Sequence, residues 1–246
     1  MWKDPAMPKL HKEIRKGKTL LKVKTPYNTV ELTFHPKSRK IVMWLNGYMQ
    51  FISGLPEKEY HFKLYGKPVI DYFLKEKRTP EKVLILGGGD GLGTRELLKF
   101  PQIREITLVD IDKTVTDLAR KNPILRTLNR NALNSERVKV VNTDALKYLK
   151  TAKDRYDLII VDFPDPDYDM MENDEFLKKH VNPLYTCRAY KLIASHLKKG
   201  GLLSIQVSGS PIVLNRVKNC LKKLKLQILG KDRGINFEQF FLYARR

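Results

Sequence analysis

The stretch that decides the fold is Val83-Leu-Ile-Leu-Gly87-Gly-Gly-Asp90-Gly-Leu-Gly93. Its four leading apolar residues predict a short buried strand, and the glycine-rich loop follows directly and opens a helix. Glycines let a nucleotide approach the backbone closely, while the amide groups of the helix point at it. The position of the loop after a strand therefore predicts a nucleotide-binding site, whereas the plain alternative is a tight turn without a ligand.

From residue 82 onward, short apolar runs alternate with helical stretches. The runs predict buried, parallel strands at Val83–Leu86, Ile106–Val109, Val138–Val141, Leu158–Val161 and Leu202–Ile205. Helices are predicted near 92–100, 113–121, 144–151 and 185–198, and Lys199-Gly200-Gly201 is expected to end the last one. Five alternations predict a doubly wound α/β sheet that binds ligands at the carboxyl ends of its strands.

The N-terminal part has a different pattern. Residues 19–52 alternate with period two, and His35–Ser38 and Asn46-Gly47 supply turns, so we expect a small antiparallel sheet. Residues 57–77 predict a helix, which Thr79-Pro80 ends. We therefore expect an N-terminal β-rich domain with a linking helix at 1–78 and a Rossmann-like catalytic domain at 79–246.

The composition predicts a folded cytoplasmic protein without a membrane span or a metal. Hydrophobic residues make up 42% of the chain, and no apolar run approaches the length of a membrane span. The start, Met1 to Pro5, lacks the apolar stretch of a signal peptide. Cys187 and Cys220 stand alone in the sequence, which suits a reducing compartment. The five histidines show no ligand spacing.

The formal net charge is +20. We interpret it as a solvated lysine-rich surface, because the lysines are spread along the chain with little aromatic interleaving. The alternative is nucleic-acid binding, which we expect to be weak and independent of sequence.

Three acidic residues lie where the strands of the sheet are expected to end. Asp110 ends the second strand, where a carboxylate can accept hydrogen bonds from both ribose hydroxyls. Asp90 lies within the loop, where it would repel the phosphates of a dinucleotide and suits a cationic ligand instead. An adenosyl sulfonium with an aminopropyl ammonium has that charge. Asp144 can accept from the adenine amino group or cap the following helix, and both roles can hold together.

Asp162-Phe-Pro-Asp165-Pro ends the fourth strand with two carboxylates on a proline-stiffened turn. The stretch from Asp157 to Glu175, both included, contains eight acidic residues and no Lys or Arg, in a chain with 27 acidic residues in total. Because local potential selects a charged substrate, this pattern predicts a small cationic amine. The alternative is a solvated acidic loop without a substrate role.

The motifs together resemble those of the polyamine aminopropyltransferases, the spermidine synthase family. The resembling segments are Gly87–Gly91, the ribose-binding Val109–Asp112, the catalytic turn Asp162–Pro166, Leu45–Gln50 and Tyr60-His61. The resemblance runs from about residue 27 to 211. It implies a Rossmann-like doubly wound sheet of the class I methyltransferase type, with a small N-terminal antiparallel β domain. We also expect a homodimer or homotetramer.

The resemblance implies a role for each matching residue. Decarboxylated S-adenosylmethionine would be the co-substrate, without a metal, and would donate its aminopropyl group to a polyamine. The residues implied to contact it are those of the glycine loop, with Gly87 and Gly89, and Gln50, Asp90, Asp110, Asp144 and Ala145. His61 and Asp165 would bind the amine acceptor. Asp162 would receive the proton, and Tyr60 would assist in orientation.

Phe62 departs from the family pattern, because the family has a glutamate after Tyr-His. The loss of this acid, together with the acidic stretch further along the site, predicts a relaxed acceptor range.

Two other functions stay open at this point. One is methyl transfer from S-adenosylmethionine to a small amine or to nucleic acid, which Asp90 disfavours because the methyl donor carries a carboxylate. The other is a binding or scaffold protein with an inactive site, which the intact acidic residues disfavour.

Overall fold

The computed structural model describes residues 17–164, 181–208, 211–233 and 239–246. The chain divides into two compact units, Met1–Glu59 and Tyr60–Arg246.

The N-terminal unit contains a four-stranded antiparallel sheet. Its strands follow chain order and are β1 (Lys18–Lys24), β2 (Thr29–His35), β3 (Lys40–Leu45) and β4 (Tyr48–Ile52). Asn46 and Gly47 both have positive φ in the turn between β3 and β4, as a two-residue hairpin turn requires. The Asn46 side chain also accepts from the backbone N–H of Thr29 at 2.7 Å. The predicted antiparallel sheet is confirmed.

A helical segment connects the N-terminal sheet to the central sheet. It consists of α1 (Leu55–His61), a π-helical turn (Phe62–Gly66), α2 (Lys67–Tyr72) and a 3₁₀ turn (Leu74–Glu76). Tyr65, Val69 and Phe73 are buried in the same core cluster as residues of the central sheet. The second compact unit accordingly begins before the expected boundary at residue 79. The domain division into 1–78 and 79–246 stays a prediction.

The central sheet has seven strands, in the order β10-β11-β9-β8-β5-β6-β7. The strands are β5 (Lys82–Gly87), β6 (Glu105–Asp110), β7 (Val138–Asn142), β8 (Tyr156–Asp162), β9 (Leu197–Ser208), β10 (Gln227–Arg233) and β11 (Gln239–Arg245). Strands β5 to β9 pair in parallel, and β11 is antiparallel to both of its neighbours. The predicted doubly wound α/β sheet is confirmed.

Helices cover both faces of the central sheet. They are α3 (Leu92–Leu97), α4 (Lys113–Lys121), α5 (Pro123–Leu128), α6 (Ala145–Thr151), α7 (Cys187–Ser195) and α8 (Pro211–Lys223). Successive residues of β5 alternate between two core clusters: Leu84 and Leu86 belong to one, Val83 and Ile85 to the other. Burial on both faces explains why the strand is a continuous apolar run in the sequence.

The C-terminal part differs from the prediction. The helix α7 ends at Ser195 and β9 begins at Leu197, so Lys199-Gly200-Gly201 lies inside the strand and does not end the helix. The helix α8 and the strands β10 and β11 were not predicted.

The expectation that the two cysteines stand alone was wrong. Cys187 of α7 and Cys220 of α8 form a disulfide, with their Cα atoms 5.1 Å apart. The pairing depends on two helices that pack against the same core cluster, and the 33-residue separation gave no sign of it.

Within the described residues, none of the helices combines the length and the apolar character needed to cross a membrane.

Candidate active site

The polar residues predicted at the strand ends meet at one edge of the central sheet. Gly87 of β5 is paired with Asp162 of β8, and Asp110 of β6 is paired with Asn142 of β7. Because these strands are parallel and adjacent, the loop after β5 lies between the carboxylates of Asp110 and Asp162.

The glycine-rich loop is fixed to the end of β6. The backbone N–H of Gly89 donates to Oδ2 of Asp110 at 3.0 Å. A β-carbon at Gly89 would lie 2.5 Å from the same oxygen, so only glycine allows this approach. The Asp90 carbonyl accepts from the Asn129 side chain at 3.0 Å, and the Asp90 carboxylate accepts from the N–H of Leu92 at 2.8 Å. The loop is therefore held from both sides.

The Asp110 carboxylate lies in a poorly solvated position. Its Oδ1 accepts from the N–H of Asp112 at 2.8 Å, and its Oδ2 accepts from Gly89. Burial raises the pKa of Asp110 to about 6. The negative charges of Asp112 and Asp90 also raise this pKa, whereas the two backbone hydrogen bonds lower it.

Asp144 caps a helix, as one of its two expected roles requires. Its carboxylate accepts from the backbone N–H of Lys147 at 2.8 Å, and Ala145 is the first residue of α6. Contact of Asp144 and Ala145 with an adenine ring stays a prediction.

Two tyrosine hydroxyls hold the Asp162 carboxylate. Tyr60 of α1 donates to Oδ1 at 2.9 Å, and Tyr65 of the π-helical turn donates to Oδ2 at 2.7 Å. Tyr60 was expected near this carboxylate, whereas Tyr65 was missed. A tyrosine within an apolar helical segment gives no sign of such a contact unless the π-helical turn is known.

Negative charge is concentrated around these groups. Burial raises the pKa of the Tyr65 phenol well above its usual value, and the charges of Asp162 and Asp90 raise it further. Asp90 also acts on Asp110. Three carboxylates therefore influence one small region, which suits a positively charged ligand.

The other residues predicted for the site are His61, Gln50 and Asp165, together with the departure at Phe62. His61 is buried, with its ring centroid 5.0 Å from that of Tyr60. Gln50 is exposed on β4 of the N-terminal unit, where its side chain donates to the Tyr48 carbonyl at 3.3 Å. Asp165 and the acidic stretch that follows it lie outside the described residues. Phe62 is 42% exposed.

No cluster of His, Cys, Asp and Glu that could hold a metal ion is found in the part of the chain that the structure describes.

Comparison with known families decides the relationship. Residues 60–229 match the model of the spermine/spermidine synthase domain. The chain belongs to the spermine/spermidine synthase family. The predicted family resemblance is thus confirmed, and the matched region contains the glycine-rich loop, Asp110 and Asp162.

Curated members of the family are similar to this chain. The polyamine aminopropyltransferase of Oceanobacillus iheyensis is 38% identical over 187 residues, which cover 76% of this chain and 33% of that protein. Polyamine aminopropyltransferase 2 of Ralstonia nicotianae is 35% identical over 199 residues, or 81% of this chain and 35% of that protein. The chain therefore spans about a third of the length of these relatives.

Two solved structures share the fold. Spermidine synthase from Thermotoga maritima has a TM-score of 0.72 at 22% identity, over 93% of this chain and 72% of that one. A spermidine synthase in complex with the transition-state analogue AdoDATO has a TM-score of 0.73 at 20% identity, over 93% of this chain and 73% of that one.

The raised pKa of Asp110 leads to a pH-dependence prediction. Above pH 6 the carboxylate is ionised and can accept from ribose hydroxyls, while below pH 6 it is protonated. The Kd for 5′-methylthioadenosine should therefore rise about tenfold for each pH unit below 6. Calorimetric titration between pH 5 and pH 8 measures this change. The Asp110→Asn variant should bind more weakly and without this pH dependence, and a constant wild-type Kd across the range would refute the prediction.

Proposed function

We propose that this chain carries an aminopropyltransferase site, which moves the aminopropyl group of decarboxylated S-adenosylmethionine to a polyamine and releases methylthioadenosine. The observation that carries the proposal is the Asp162 carboxylate, held by Tyr60 and Tyr65 at the strand end next to the glycine-rich loop. The family match and the names of the curated relatives support it.

The donor side of the site is assigned from the residues around the loop. Gly89 lets the loop approach Asp110 closely enough to donate its backbone N–H to the carboxylate. This carboxylate would accept from the ribose hydroxyls. Asp144 and Ala145 would contact the adenine, and Gln50 is assigned to the methylthioadenosine part from the resemblance of its segment. Asp90 would hold the aminopropyl ammonium.

The transfer step requires the protein to remove a proton from the attacking amine. The amine nitrogen attacks the methylene carbon next to the sulfonium, the carbon–sulfur bond breaks, and its electron pair leaves on sulfur as a neutral thioether. Because the leaving group is neutral, the main obstacle is the proton on the attacking nitrogen. Asp162 would take that proton. His61 and Asp165 would hold the amine in line with the bond that breaks.

A product assay tests the proposal. The purified protein is incubated with each sulfonium donor and a panel of amines, and the products are identified by mass spectrometry. Aminopropylated amines from decarboxylated S-adenosylmethionine are expected. Methylated amines or nucleic acid from S-adenosylmethionine would replace the proposal with methyl transfer.

Donor selection by Asp90 gives a separate prediction. Decarboxylated S-adenosylmethionine should bind about ten- to a hundredfold more tightly than S-adenosylmethionine, because only the latter brings a carboxylate near Asp90. Calorimetric titration measures both Kd values. Asp90→Asn should reduce the difference and leave binding of methylthioadenosine, which has neither group, nearly unchanged. Equal or tighter binding of S-adenosylmethionine to the wild type would contradict this assignment.

We also propose a relaxed acceptor range. Phe62 stands in place of an acid, and Asp167, Asp169 and Glu172 supply negative charge further along the sequence. A triamine could place a further ammonium against these acids, so it should be used at least as well as putrescine. Neutralising the three acids together should slow the triamine more than putrescine in competition assays. A strong preference for putrescine, with equal slowing of both amines, would show that this proposal is wrong.

A cytoplasmic location, a homodimer or homotetramer, and weak nucleic-acid binding stay predictions from the sequence.

A further inference from the structure

Tyr60 and Tyr65 reach the same carboxylate although they lie on one helical segment. In a regular α-helix, two side chains five positions apart in the sequence, as Tyr60 and Tyr65 are, point about 140° away from each other. The segment instead passes through the π-helical turn Phe62–Gly66, where the N–H of Lys67 donates to the carbonyl of Phe62. A π-helical turn brings residues five apart closer to one face. Both hydroxyls can therefore donate to Asp162, one to each oxygen.

The ring of Tyr65 also packs against the glycine-rich loop. A β-carbon at Gly88 would lie 2.5 Å from the Tyr65 hydroxyl oxygen and 3.3 Å from Oδ2 of Asp162. A β-carbon at Gly93 would overlap the Tyr65 ring itself. Tyr65 therefore explains why residues 88 and 93 are glycines, whether or not the aminopropyl donor is bound.

Tyr65 is excluded from contact with a substrate, because its side chain is fully buried. Its hydroxyl nevertheless touches the carboxylate that would take the proton. Burial and the negative charge of Asp162 keep the pKa of Tyr65 high, so the phenol stays protonated and acts as a hydrogen-bond donor. Two donors on opposite oxygens fix the plane of the carboxylate and the directions of its remaining lone pairs.

We propose that Tyr65 is a positioning residue: it fixes the Asp162 carboxylate relative to the glycine-rich loop, so that the proton acceptor keeps its place beside the donor. The proposal rests on the proposed function, since it assigns Tyr65 a part in the same reaction. It adds a residue that the resemblance did not imply.

The first experiment removes only the hydroxyl. The kcat of the Tyr65→Phe variant should fall about tenfold or more. Its Kd for methylthioadenosine should be unchanged, because the glycine-rich loop still packs against the ring of residue 65. Its pH–rate profile should also differ from that of the wild type, because the carboxylate that would take the proton has lost one of its two hydrogen-bond donors.

Tyr190→Phe is the matched control. Tyr190 is fully buried, and its hydroxyl has no hydrogen-bond partner among the residues that the structure describes. Removing this hydroxyl should change neither kcat nor the pH–rate profile.

The second experiment tests the packing on the loop. Gly93→Ala should lower the urea midpoint of the wild type and, equally, of Tyr65→Phe, which keeps the ring. In a Tyr65→Ala background the same change should lower the midpoint much less, because the overlapping ring is gone. If Gly93→Ala lowers the urea midpoint equally in all three backgrounds, the Tyr65 ring is not the reason that residue 93 must be glycine.

The outcomes separate this proposal from the proposed function. If Tyr65→Phe keeps the wild-type kcat and pH profile while Asp162→Asn is impaired, the positioning role is wrong and aminopropyl transfer stands. If Tyr65→Phe also loses methylthioadenosine binding, its role is structural only, and the proposal fails. If the wild type transfers no aminopropyl group to any amine, both proposals fail.

Discussion

Replacing Asp162 with asparagine should lower turnover by about 10²-fold or more, which is the usual scale for the loss of a general base. The fold should persist, because the amide has nearly the shape of the carboxylate. One tyrosine can still donate to the amide oxygen, and the other hydroxyl can rotate to accept from the amide N–H. Steady-state kinetics with saturating donor and amine measure the change, and calorimetry with methylthioadenosine checks that the donor site is intact.

The pH dependence of this variant shows whether Asp162 acts as the base. Without a proton acceptor, turnover should rise with pH as more of the amine loses its proton in solution. Asp154→Asn is the matched control, since Asp154 lies before the opposite end of β8 and pairs with Lys82 at the surface. Its turnover should stay at the wild-type level. Near-normal turnover of Asp162→Asn would assign the proton to another group.

The second large effect is expected on stability, at Gly87. Gly87 has a φ of +92°, and a β-carbon there would overlap the carbonyl oxygen of Asp162 on the neighbouring strand. The Gly87→Ala variant should therefore lose about 2–6 kcal/mol in the free energy of unfolding. About 1–3 kcal/mol of this loss comes from backbone strain and about 1–3 kcal/mol from the overlap. Urea unfolding measures the loss.

Gly200→Ala separates the two contributions to this loss. Gly200 also has a positive φ, +73°, but its nearest contact for a β-carbon is an Arg78 nitrogen at 3.4 Å. This variant should show only the strain, about 1–3 kcal/mol. If both variants lose the same free energy, close packing of β5 against β8 is not what requires glycine at residue 87.

The central sheet could be predicted because burial on both faces produces continuous apolar runs, such as Val83–Leu86 and Leu158–Val161. The helix α8 was missed although its buried residues Val213, Val217 and Cys220 follow helical spacing. Its basic residues Lys218, Lys222 and Lys223 are also typical of a solvated surface segment, so the sequence alone does not show that one face of this helix is buried. The strand β11 was missed because its burial depends on its place between β9 and β10, which only the tertiary fold establishes.

The sequence predicted those site residues whose position depends only on where a strand ends. Asp110 and Asp162 end strands, and a strand end can be read from the sequence. Tyr65 could not be found in this way, because its contact with Asp162 joins residues 97 positions apart and requires a π-helical turn. The disulfide between Cys187 and Cys220 was missed for a related reason, since it joins two helices that are separate in the sequence.

The pairing of Gly87 with Asp162 also limits how the chain can change in length. Side chains alternate between the two faces of a strand, so an insertion or deletion of one residue within Tyr156–Asp162 would reverse the side of every residue beyond it. Asp162 would then turn away from both phenols, and an apolar side chain would take its place. Homologous chains should therefore vary in length in connections such as residues 152–155, while this strand keeps a constant number of residues.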